Sequence, residues 1–285
     1  MKIEILGSGG AVTTPRPLCF CPLCRKARKL GPPHQRTGPS LFVHGPDLLV
    51  DTPEESAFQL ARSGVRRVAA GLYSHWHPDH VMGLRVWEMN RDFRRWPREE
   101  RPTPVYFPGR VRDDLVERLG AGSHLEFLES QGLIRSIVVE EGASVELTGC
   151  TLRPFPLAEE YVYAFLLEEA DGARVLLAPD ELVGWIPPDW LGPLDLAVLP
   201  MGVVEFDPFT GVRRIPADHP ILAAEATFRQ TLEIVESLDV RRVVLTHIEE
   251  PDGLDHDDLV RLEAELEARG HADVRFAYDT MVIEV

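Results

Sequence analysis

The chain alternates short apolar runs with turn signals over most of its length, a pattern of strands and helices in close succession. Lys2–Leu6 (KIEIL) reads as a first strand, and Gly7–Gly10 as a turn. Leu41–His44 and Leu48–Asp51 flank a His-Gly-Pro-Asp turn and predict a hairpin. Thr52-Pro53-Glu54-Glu55 then opens a helix to about Arg62, with Thr52 as N-cap, Pro53 at the first helical position and acids in the first turn. Val68–Tyr73 is a continuous apolar strand, followed by SHWHPDH and a helix from about Pro78 to Asn90.

Residues 91–104 are charged and read as an exposed connection. Short strands are expected at Val105–Phe107, Ile137–Val139, Val145–Leu147 and Leu152–Pro154. Tyr161–Glu168 and Arg174–Ala178 are stronger strand signals, joined by an Asp171-Gly172 turn; Asp195–Leu199 is another strand. Pro220–Leu238 has the period of one long amphipathic helix. Val243–Thr246 is a strand ending in His247, and Asp255–Arg269 a helix. With no internal repeat or low-complexity linker, the pattern predicts a single domain over residues 1–285, an α/β sandwich.

Composition narrows the partners. The 44% hydrophobic and 27% charged content is that of a globular chain. No apolar run is long enough to span a bilayer, and MKIEILGSGG reads as strand and turn, so a cytoplasmic location is expected, with no membrane partner. A net charge of −16 opposes binding to a phosphate backbone and argues against nucleic acid. Nothing bears on oligomeric state, which leaves room for a homodimer. Cys150 stands alone as a small buried hydrophobe, whereas Cys19, Cys21 and Cys24 crowd into CFCPLC, a spacing that in a reducing compartment points to metal.

The densest chemistry lies in HWHPDH. His75 and His77 are one residue apart at a strand's end, so their side chains point the same way and can hold one ion. Asp79 and His80 follow at the start of a helix and can reach a second. Imidazole with carboxylate suits zinc, iron or manganese.

HWHPDH matches the H-x-H-x-D-H signature of the metallo-β-lactamase superfamily, which the chain resembles over most of its length. That resemblance implies a four-layer αββα sandwich, two mixed sheets with helices outside. It also implies an opening glycine loop at Gly7–Gly10, an acid at Asp51, a bridging ligand at Asp180 in LLAPDEL and a last ligand at His247 in VVLTHIEE. Within the superfamily the chain is similar to the phosphonate-pathway cyclic-phosphate phosphodiesterases and their relatives. These share C-x-C-x-x-C, the following R-K-A-R and a late T-H-I, and in them the thiolates hold a structural zinc with a late histidine.

Three positions depart from those relatives, each carrying glutamate where they have histidine. Glu159, with Glu160 beside it, stands where they have a ligand of the first ion; Glu225 stands where they have a substrate-side histidine; Glu250 stands where they close the zinc tetrahedron. Glu159 would make a harder site that favours manganese or iron, or else be a solvated acid that leaves the first site incomplete. His219, in RIPADHPIL, is a candidate general acid or phosphate contact; otherwise Asp218-His219 only caps the next helix. His34 or His256 could replace Glu250 at the cysteines. His44, His124 and His271 read as ordinary histidines.

The expected activity is that of a metal-dependent hydrolase, most of all a phosphodiesterase on a small phosphate ester or cyclic phosphate. Two divalent ions about 3.5–4 Å apart would activate water. His75, His77, Glu159 and Asp180 would hold the first ion, and Asp79, His80, Asp180 and His247 the second, with Asp79 also orienting the nucleophile. The alternatives are a non-hydrolytic metal-binding or sensor protein, a carboxyester or thioester hydrolase, and, ranked lowest because no basic patch is present, a tRNA-processing ribonuclease.

Overall fold

The computed structural model describes all residues but 90, 93, 95–100, 141, 171 and 272. The expected helix end at Asn90, much of the connection 91–104 and Asp171 of the hairpin turn lie outside the described residues.

The described strands form two seven-stranded sheets. The first runs β14 (Val282–Glu284), β1 (Lys2–Gly7), β2 (Ser40–His44), β3 (Leu48–Val50), β4 (Ala70–Leu72), β5 (Thr103–Pro108) and β6 (Ile134–Val139). The second runs β13 (Asp273–Phe276), β12 (Arg242–Thr246), β11 (Leu196–Pro200), β10 (Arg174–Leu177), β9 (Tyr163–Glu169), β8 (Cys150–Pro156) and β7 (Val145–Leu147). In each sheet one half pairs antiparallel and the other half parallel. Thus β1, β2 and β3 are antiparallel in turn and β3 to β6 parallel, while β7 to β10 are antiparallel and β10 to β13 parallel.

Alternation explains the unbroken apolar runs of the second sheet. Leu167, Val175, Leu177, Val198 and Val244 face inward and pack with Ile3, Ile5, Phe42 and Leu72 of the first sheet. Their neighbours Leu166, Leu176, Leu199, Val243 and Leu245 face outward, beneath α8 (Phe228–Ser237) and α9 (His256–Ala268). Both faces are covered, so both must be apolar. On the far side α5 (Gly109–Glu117) and α6 (Gly122–Ser130) bury Val111, Leu115, Leu125 and Leu128 against the first sheet. The result is the four-layer αββα sandwich. Among the described residues no helix is long and apolar enough to cross a membrane.

Three expected helices differ. The first starts only at Ser56 (α2, Ser56–Arg62), and Thr52 caps nothing. Instead the Thr52 amide donates to His80 O at 2.7 Å and its carbonyl accepts from Gly83 N at 2.7 Å. The helix expected from Pro78 is broken at Gly83 into α3 (Pro78–Val81) and α4 (Val86–Met89), where a Cβ would lie 2.0 Å from Pro53 O. The long helix from Pro220 is likewise two, α7 (Ile221–Ala224) and α8, separated by extended Glu225. Asp218 makes no cap for it. The break follows from pairing: Ala226 O accepts from Val203 N and Phe228 N donates to Val203 O, both at 2.9 Å, before Thr227 and Gln230 form a capping box.

Candidate metal centres

Strand ends build the main site. β4 delivers His75 and His77, the start of α3 supplies Asp79 and His80, Asp180 follows β10, and His247 follows β12. His75, His77 and Asp180 form one cluster of donor atoms, and Asp79, His80 and His247 a second. Asp180 joins them: Oδ2 lies 3.3 Å from His75 Nε2 and 3.6 Å from His80 Nε2, while Oδ1 lies 3.4 Å from His247 Nε2. Asp79 Oδ2 lies 3.5 Å from His80 Nε2 and 3.4 Å from His247 Nε2.

These atoms meet without satisfying one another. His75 Nε2, His80 Nε2, His247 Nε2 and Asp79 Oδ2 are buried and make no hydrogen bond among the described residues. Four such groups converging on common points are expensive unless an ion pairs them, so the donor set fits two divalent metals. The opposite ring edges are anchored. Asp51 Oδ2 holds His80 Nδ1 at 2.8 Å and takes the Ser74 hydroxyl at 2.6 Å, and that hydroxyl lies 3.0 Å from His75 Nδ1. Asp51, Glu181 and His247 all adopt positive φ, at 57°, 49° and 54°, so backbone strain gathers at the site.

The charges balance unevenly. Burial pushes the His75 imidazole down to about 4, keeping it neutral. Burial would do the same to His247, but Asp180 and Asp79 outweigh it and hold that imidazole well above its ordinary value. Burial would raise Asp180, yet His247, His75 and His77 keep it well below the usual carboxylate range.

Glu159 does not join this group. It is exposed on a turn, its carbonyl taking Val162 N at 2.8 Å, and Glu160 is exposed beside it. The harder first site expected from Glu159 is therefore not what the fold builds, and the reason to prefer manganese or iron falls with it. Tyr161 turns in instead, its ring 5.5 Å from that of His77 and its hydroxyl 3.5 Å from Glu181 Oε2. Glu181, buried next to Asp180, contacts Glu225, which the break between α7 and α8 aims inward. Burial, then Asp180, pushes Glu181 up to about 7 and Glu225 up to about 8. Sequence reasoning missed Tyr161 and Glu181; an acid directly after a ligand at a strand's end was the available signal.

A cavity of about 410 Å³ opens from this centre, with Glu225, Glu181, His247, Glu249, Arg214 and His219 among its lining residues. His219 sits exposed, its Nδ1 accepting from Ile221 N at 3.2 Å. Arg214 is engaged by Asp207 Oδ2 at 2.5 Å and by Asp252 O.

The second candidate centre joins CFCPLC to the loop after β12. Cys19, Cys21 and Cys24 Sγ lie 3.3, 3.2 and 3.2 Å from one oxygen, Glu250 Oε1, while Arg16 Nε holds Oε2 at 3.0 Å. Zinc–ligand lengths imply a tetrahedral S···O edge of about 3.5 Å, so three thiolates and one carboxylate oxygen fit a closed site. Burial pushes the Cys24 thiol up to about 12, a proton that an ion would displace. His34 and His256 are not ligands here. Their rings meet each other at 5.6 Å, and His34 groups with Asp255 and Asp257, where Lys26 Nζ already sits 2.6 Å from both carboxylates. His44, His124 and His271 pair with Glu4, Glu88 and Glu236, away from either centre.

Fold and centre together define a metallo-β-lactamase-type protein. The sequence profile of the beta-lactamase superfamily domain matches residues 42–248, and the chain belongs to that superfamily. A diphosphatase from the PhnP family superposes with a TM-score of 0.72 at 23% identity, over 100% of this chain and 97% of that one. Zinc-bound PqqB from Methylobacterium extorquens gives 0.71 at 17%, over 100% of both chains. Human short-form tRNase Z gives 0.64 at 16%, over 100% of this chain and 99% of that one. At such identities the likeness establishes the fold. No curated protein matches the sequence.

Proposed function

We propose that the protein is a metal-dependent hydrolase of a small phosphate ester, acting as a phosphodiesterase with two divalent ions at the His/Asp centre and a structural zinc at Cys19, Cys21, Cys24 and Glu250. The observation that carries this reading is the convergence of buried, unpartnered His75 Nε2, Asp79 Oδ2, His80 Nε2 and His247 Nε2 beside Asp180, at the head of a cavity of small-molecule size. Bound there, zinc, manganese or iron would polarise the ester and lower the pKa of water. Asp79, whose Oδ2 lies 3.5 Å from His80 Nε2 and 3.4 Å from His247 Nε2, would also accept a hydrogen bond from the attacking water and so orient it. In the ion-free chain burial and Asp180 push the Glu225 carboxyl up to about 8, and His219 stands on the cavity wall; either would protonate the leaving alkoxide. Val203, Ile215 and Ile221 add apolar surface to the cavity lining.

A small molecule suits this cavity better than a nucleic acid, since Arg214 is already engaged and the net charge is −16. Free thiols at the second centre fit a reducing, cytoplasmic setting. The test is hydrolysis of bis-p-nitrophenyl phosphate with added Zn²⁺ or Mn²⁺, with expected loss of at least about a thousandfold in Asp180→Ala. The acidic wall of Glu181, Glu225 and Glu249 favours one rival, an uncharged carboxyester or thioester. Turnover of a thioester with none of the phosphodiester would replace the first reading with that one.

A further inference from the structure

We infer that the Cys19–Cys21–Cys24–Glu250 centre positions His247, so that filling it strengthens binding of the second ion at the His/Asp centre. The inference rests on the reading that both centres take metal. His247 and Glu250 stand three residues apart after β12, one in each centre. His247 holds a φ of 54°, a conformation that a β-strand exit does not keep unaided.

The cysteine-bearing segment supplies the support. Ile248 N donates to Ser8 O at 2.9 Å, Glu250 N donates to Val12 O at 3.0 Å, and Val12 N donates to Glu249 Oε1 at 3.0 Å. Gly10 presses on the imidazole so closely that a Cβ there would lie 2.4 Å from the His247 ring. Further along the same segment, Arg16 N donates to Cys24 Sγ at 3.3 Å and Arg16 Nε holds Glu250. Arg36, fully buried, donates Nε to Ile248 O at 3.2 Å and reaches Thr14 Oγ1. Residues 8–16 therefore lie as a strip with His247 against one end and the thiols at the other.

Three thiols converging on a single carboxylate oxygen make a weak tie, because one oxygen cannot serve three donors well. An ion bound by all four groups turns that tie into a cross-link between Cys24 and Glu250, 226 residues apart in sequence. A cross-link narrows what the loop can sample, and His247 rides on the same loop. The effect should be selective. His247 belongs with Asp79 and His80, whereas His75, His77 and Asp180 form the other cluster without it.

The test is a competition titration of metal-stripped protein with Zn²⁺ against a chromogenic chelator, combined with metal counts per chain. It compares wild type, Cys19→Ser, Glu250→Ala, Glu250→His and a core variant, Leu262→Ala. Wild type should bind three ions. Cys19→Ser, altered at a half-exposed position, and Glu250→Ala should each lose the thiolate-bound ion and bind one of the two remaining ions about tenfold or more weakly, with the other little changed. Glu250→His should restore the wild-type pattern, since imidazole closes the same tetrahedron. Leu262→Ala, which destabilises without touching either centre, should leave both His/Asp steps alone. Unchanged His/Asp affinities in Cys19→Ser, with its thiolate site empty, would overturn the inference and leave the hydrolase reading standing. An equal loss in Leu262→Ala would overturn it too. A wild type that takes no metal at its thiols would overturn both the inference and the reading of that centre.

Discussion

Glu159, a candidate ligand in the sequence, is exposed, whereas Glu225, a candidate substrate-side group, lines the cavity. Glu159 points into solvent, so Glu159→Gln should leave metal content unchanged and kcat/KM within about twofold, as measured by elemental analysis and steady-state kinetics. Glu225 faces the cavity next to Glu181 and Asp180. Above about pH 8, where Glu225 has lost its proton, removing a carboxylate so near an anionic substrate is worth on the order of 1 kcal/mol, so Glu225→Gln should lower KM for a phosphodiester about fivefold there and change it little at pH 7. It should also lower kcat if Glu225 is the proton donor. A raised KM would argue that Glu225 binds the substrate rather than repelling it. The cluster of donors was legible because His75, His77, Asp79 and His80 lie within six consecutive positions, a density that core packing does not produce. Tyr161 was not, because only the fold brings it to His77, and Glu181 was passed over although it directly follows Asp180.

At the scale of elements, the site depends on where helices stop. The residues around Glu225 are good helix formers, and periodicity carried the helix through them; pairing of Val203 with Ala226 and Phe228 decided otherwise. The Thr227–Gln230 capping box was a start signal in plain view, outweighed in the reading by the longer apolar period. Likewise Gly83 was legible as a glycine but not as a hinge, because its partner Thr52 lies far back in the chain. A Cβ at Gly83 would strike backbone rather than a movable side chain. Gly83→Ala should therefore destabilise by roughly 2–3 kcal/mol, lowering Tm by about 5 °C or more in a thermal melt of the metal-loaded protein. A melt within about 1 °C of wild type would mean that the hinge has room the structure does not show.

For the whole molecule, two sheets meet so that the carboxyl ends of β3, β4, β10 and β12 converge, and the buried side-chain donors left unsatisfied there fit metal ions. Binding of ions should then be linked to pH and to stability. His247 is held above its ordinary pKa in the ion-free chain, so below that value it carries a proton that an ion must displace. Affinity for the second ion should rise with pH through the neutral range and level off once His247 is neutral, read by competition titration at several pH values. Removal of the ions by chelator should lower Tm, and restoring Zn²⁺ should reverse it.

The central claim is that buried donors with no protein partner surround two ions. Anomalous scattering from crystals grown with Zn²⁺ tests it most directly. Two peaks about 3.5–4 Å apart are predicted, one beside His75 and His77 and one beside Asp79, His80 and His247, with Asp180 between them and a third peak at the cysteines. A peak at the cysteines alone, with none beside Asp180, would contradict the account.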